Sequence, residues 1–102
     1  MAKHSEWIDI AASEFGMTQT DAIRLRRISK QLHAYDMLSM NERELTAEEK
    51  DIELDLMLEV HNICRKYDID ADKYEYPDPR SGSGLRFILP SGKTNSLGGY
   101  NL

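Results

Sequence analysis

The chain has 102 residues, which fits one domain and leaves no room for two of ordinary size. It is 40% hydrophobic and 30% charged, and its formal net charge of −5 disfavours nonspecific adhesion to nucleic acid or anionic membranes. No apolar run can span a bilayer, the N-terminus lacks the apolar core of a secretory signal, and the lone Cys64 has no internal disulfide partner, so a cytoplasmic protein with no membrane contact is expected.

In chain order, the first expected helix covers about residues 5–15. Ser5 can cap it, and Trp7, Ile8, Ala11, Ala12 and Phe15 recur at the spacing of one apolar face. Gly16 suits its stop. Thr18-Gln19-Thr20-Asp21 opens a second helix, about 19–38, with a stripe of Leu25, Ile28, Leu32 and Tyr35. Arg26, Arg27, Lys30 and His33 fall opposite that stripe, where they can pair with Glu53 or Asp55 of a neighbouring helix or stay solvated.

The clearest local signal is Thr46-Ala47-Glu48-Glu49. It reads as a capping box in which Thr46 serves the Glu49 amide and Glu49 reaches back to the Thr46 amide. A third helix, about 46–67, follows with Ile52, Leu56, Val60, Ile63 and Tyr67 on its main face. Acids crowd its start, and Arg65 and Lys66 its last turn, as the helix dipole favours. A second stripe of Leu54, Leu58 and His61 lies on the opposite face. Two leucines one turn apart call for a cover, either from this chain or from a partner.

Beyond Asp68 the character changes. Pro77 and Pro79 exclude a helix interior, and Arg80-Ser81-Gly82-Ser83-Gly84 reads as a connector. Leu85 to Leu89 can form a strand that Pro90-Ser91-Gly92-Lys93 turns back. The expected fold is therefore mainly α: a three-helix core with a Gly/Ser-rich C-terminal segment containing a short β-hairpin or clasp. Residues 1–79 form the helical domain, and 80–102 a flexible or hairpin-like basic tail.

Several motifs fail on inspection. Ser91-Gly92-Lys93-Thr94 resembles the end of a phosphate-binding loop, but Phe87 stands where the first glycine is required. Asp68, Asp70 and Asp72 match the start of a calcium loop, but Lys73 replaces its glycine and Pro79 its bidentate glutamate. His61 and Cys64 share a helix face but have no second ligand pair at zinc spacing. No nucleophile stands with a base, so no catalytic residue, cofactor or metal is expected.

Two functions compete. The first is a noncatalytic module that binds another protein, or itself as a homodimer, and regulates or inhibits it through Leu54, Leu58 and His61 or through Arg26 and Lys30. The second is a helix-turn-helix DNA-binding regulator. Ala12, Gly16, Met17 and Leu25 resemble that motif, with Thr18, Gln19, Thr20, Arg24 and Arg27 as base or phosphate contacts. A third expectation is an acidic DNA mimic that inhibits a DNA-binding protein, based on the acids of residues 42–59.

Overall fold

The computed structural model of the chain describes residues 3–76 and 84–97. Three helices, α1 (Lys3–Phe15), α2 (Gln19–Asn41) and α3 (Ala47–Lys66), precede a small antiparallel sheet. Its strands are β1 (Tyr74–Glu75), β2 (Arg86–Ile88) and β3 (Thr94–Ser96), in that spatial order. The architecture is mainly α, as the periodicity predicts.

Local chemistry sets the helix ends. α1 begins at Lys3, so Ser5 lies inside it and is not its cap. It stops where Gly16 takes φ 68, a left-handed conformation that costs glycine little, and the amides of Gly16 and Met17 donate back to the carbonyls of Ala12 and Ala11. α2 starts behind Thr18, whose hydroxyl accepts from the Asp21 amide at 3.2 Å. It continues past Leu38 to Asn41, because Ser39, Met40 and Asn41 include neither glycine nor proline to break it.

Both halves of the capping box form at α3. Thr46 Oγ1 accepts from the Glu49 amide at 3.1 Å, and Glu49 Oε1 accepts from the Thr46 amide at 2.8 Å. Arg43 grips the same carboxylate with two hydrogen bonds of 2.7 and 2.9 Å. At the other end Asp68 takes φ 58, with the Ile69 amide bonded to the Cys64 carbonyl and the Asp68 amide to that of Arg65. The three aspartates that resemble a calcium loop are thus divided between a helix stop and the 3-10 turn Ala71–Lys73.

The hairpin expected at the C-terminal end is present. Phe87 pairs with Asn95 and Ile88 with Thr94, and the turn closes through Leu89 N–H to the Lys93 carbonyl at 2.8 Å. Sequence reading missed β1, which pairs Tyr74 with Phe87 on the other edge of β2. Pro77, Pro79, the connector before Gly84 and the glycine-rich end from Gly98 lie outside the described residues.

Phe87 occupies the middle of the core. It is fully buried, stacks on Trp7 at 5.3 Å between ring centroids, and meets Phe15 at 5.9 Å and Tyr74 at 6.0 Å. Leu25, Ile28, Val60 and Leu85 are equally buried around it. Ser29 joins α2 to the C-terminal segment by accepting from the Leu85 amide at 2.7 Å and donating to the Leu97 carbonyl at 3.4 Å. This contact widens the covered arc of α2. His33, expected on the outward basic face, lies one turn beyond Ser29 and is buried at 4% exposure. Ile52, expected on the main face of α3, is instead 37% exposed.

Candidate interaction surface

α2 and α3 run antiparallel. At one end of the pair Lys66 Nζ meets Asp21 Oδ2 at 2.8 Å, and the Tyr67 hydroxyl donates to the same carboxylate. Next along, the Arg24 guanidinium forms a two-pronged ion pair with Glu59. Lys66 and the Tyr67 hydroxyl hold Asp21 below the ordinary carboxylate range, and Arg24 does the same for Glu59. Arg24, expected as a DNA contact, is thus held by Glu59.

The inner faces of both helices point at the shared core, through Leu25, Ile28 and Leu32 on α2 and Leu56, Val60 and Cys64 on α3. At about 100° per residue, the opposite side of α3 carries Asp51, Asp55, Leu58 and Asn62, with Leu54 on its flank. All five are exposed, and Leu54 and Leu58 each keep 59% of their surface in solvent. The opposite side of α2 carries Arg27, Lys30 and Ala34, all exposed, and the half-buried Leu38. Along its last turns Ala34, Met37, Leu38 and Asn41 line an open groove of about 700 Å³ that starts at Lys30.

The expected site residues therefore divide. Leu54 and Leu58 stand outward together. His61 does not join them: it is half-buried, and its Nδ1 lies 3.3 Å from the Tyr74 hydroxyl. Tyr76 makes a similar contact one turn earlier, donating to the Met57 carbonyl at 3.1 Å, so β1 covers the flank that carries His61. On α2, Lys30 and Arg27 are exposed and Arg26 is half-buried. Of the residues expected for DNA contact, Gln19 and Thr20 are exposed at the α2 start, while Thr18 is occupied as the helix cap and Arg24 by Glu59.

The groove on α2 was missed. Its signal, Ala34, Met37 and Leu38 at helical spacing, lay inside the expected helix, and only the last turn with Asn41 fell beyond it.

Little on this surface suggests chemistry. Among the described residues no group of three histidine, cysteine or acidic side chains is placed to hold a metal. Burial pushes the Cys64 thiol up to about 12, so it stays protonated and packs as a small apolar group. Among the described residues no helix is long and apolar enough to cross a membrane. Comparison with known proteins finds no matching family model, curated sequence or solved structure.

Proposed function

We propose that the protein is a small noncatalytic binding module that regulates or inhibits a partner protein, and that it engages this partner through the outer face of α2 and α3. The observation that carries this reading is the exposed pair Leu54 and Leu58, one turn apart, each with 59% of its surface in solvent. Fully burying a leucine stabilises a fold or complex by about 1.5–3 kcal/mol, and much of that gain stays unrealised here. Flanking charges (Asp51, Asp55, Arg27, Lys30) supply a polar rim of the kind that surrounds an apolar interface centre.

The test is a quantitative pull-down from host lysate with the parent chain and with Leu54→Asp/Leu58→Asp. The double variant keeps its helical circular dichroism and loses the partner. Equal recovery by both chains ends the assignment to this face.

A DNA-binding role draws support from Arg27, Lys30, Gln19 and Thr20, all exposed along α2. The Arg24–Glu59 pair and the net charge of −5 weigh against it. Duplex binding by Thr18, Arg24 and Arg27 would weaken steeply with salt, so a low-salt screen of genomic fragments with and without Arg27→Ala decides it.

A further inference from the structure

Resting on the reading of α2 and α3 as a binding face, we infer that one occupant of this face is a second copy of the same chain, with α2 of each copy lying over α3 of the other.

The first argument is charge. The exposed side of α2 carries Arg27 and Lys30 and no acid between them and Asn41, whereas the exposed side of α3 carries Glu48, Asp51 and Asp55. Among the described residues none of Arg27, Lys30, Asp51 or Asp55 forms a salt bridge within the chain; the inter-helix ion pairs are Arg24–Glu59 and Lys66–Asp21. The face is thus split lengthwise into a basic half and an acidic half. Two identical faces of that kind repel if α2 meets α2 and attract if α2 meets α3.

Register agrees with this pairing. Counting along the antiparallel pair from Arg24–Glu59 brings Lys30 level with Glu53, and counting from Asp21–Lys66 brings it level with Met57. Asp55 lies midway. A two-fold axis parallel to the helices and between them preserves these heights, so Lys30 of one copy stands level with Asp55 of the other, and Arg27 with Leu58. The same operation sets Leu54 level with Gln31 and Leu58 level with Arg27 of the other copy's α2, just before the groove that begins at Lys30, where the aliphatic stems of these long side chains cover the leucines. Each contact occurs twice, so the assembly closes as a dimer and does not grow into a filament.

Area is sufficient. At 1.5 Å per residue, α2 and α3 are about 30–35 Å long, and side by side they present a face about 20 Å wide, on the order of 600 Å². Two such faces make about 1,200 Å², the lower end of stable interfaces. A dimer that exchanges, and can yield to another partner on the same face, fits that size.

The experiment is sedimentation velocity of the full chain over a wide concentration range, with charge reversals at exposed positions that leave the core untouched. The parent chain sediments as a concentration-dependent dimer that weakens as salt rises. Lys30→Glu alone and Asp55→Lys alone each weaken association about tenfold or more, and the combined Lys30→Glu/Asp55→Lys chain recovers most of it. Circular dichroism verifies that each variant is folded. A parent chain that stays monomeric throughout overturns the dimer, as does a dimer indifferent to both reversals. If that monomer still loses its lysate partner on Leu54→Asp/Leu58→Asp, the dimer fails while the binding-module reading stands.

Discussion

The two ends of the α2–α3 pair are held by different means. At the Thr18/Tyr67 end, both helices lie on the aromatic core around Phe87 and are cross-tied by Lys66–Asp21 and Arg24–Glu59. At the Asn41/Thr46 end, Met40 is 56% exposed and Leu54 59%, and order rests on local devices: the capping box and the Arg43–Glu49 pair. Burial secures the first end and hydrogen bonding within the sequence neighbourhood secures the second. An end that does not depend on its apolar side chains for folding is free to offer them to something else, and the proposed binding face extends toward it.

The contrast can be broken most forcefully at Phe87. Phe87→Ala should cost about 3–5 kcal/mol, since it empties a site shared by Trp7, Phe15 and Tyr74. Chemical denaturation of the variant checks this, and a loss under 1 kcal/mol would place the core elsewhere. Next comes Ser29→Ala, which leaves the Leu85 amide without its buried acceptor and should cost about 1–3 kcal/mol. Increased hydrogen exchange at the Leu85 amide, ahead of global unfolding, is the expected signature.

At the other end Thr46→Ala should cost about 1 kcal/mol, the usual effect of losing an N-cap. Exchange should quicken in the first turns of α3 while the amides around Val60 stay protected; uniform quickening would mean that the two ends are one cooperative unit. The smallest effect is that of acid. Asp21, Glu59 and Glu49 all have depressed pKa values in the folded chain, with Glu49 lowered to about 2 by Arg43 and the Thr46 amide. A depressed carboxylate binds its proton more readily when unfolded, so its contribution is complete above the ordinary carboxylate range and fades as pH falls toward the folded value. Denaturation midpoints should therefore be flat near neutrality and decline between about pH 5 and pH 2. Glu49→Gln should flatten the lower part of that decline.

What could be read in the sequence follows the same division. Local signals were legible: the Thr46/Glu49 box, the Gly16 stop and the Pro90–Lys93 turn all lie within a few residues of the groups they serve. Leu54 and Leu58 were legible as an unpaired stripe, because helical spacing alone separates them from Leu56 and Val60. Readings that depended on distant neighbours went astray. His33 is buried one turn beyond Ser29, which the C-terminal segment meets, and His61 turns toward Tyr74 because β1 arrives there. β1 itself escaped notice because two residues carry no periodicity; only their pairing with β2 makes them a strand.

The Ser29 bridge also bears on how the chain comes off the ribosome. Its partner Leu85 lies 56 residues downstream. At synthesis rates of about 5–20 residues per second, roughly 3–11 s separate the two. Throughout that interval the aromatic partner that Trp7 stacks on, Phe87, has not yet been made. Until the hairpin emerges, the core therefore lacks its central ring and the acceptor contact of Ser29. Completion of the core thus waits on the last strand, however early the first helix forms.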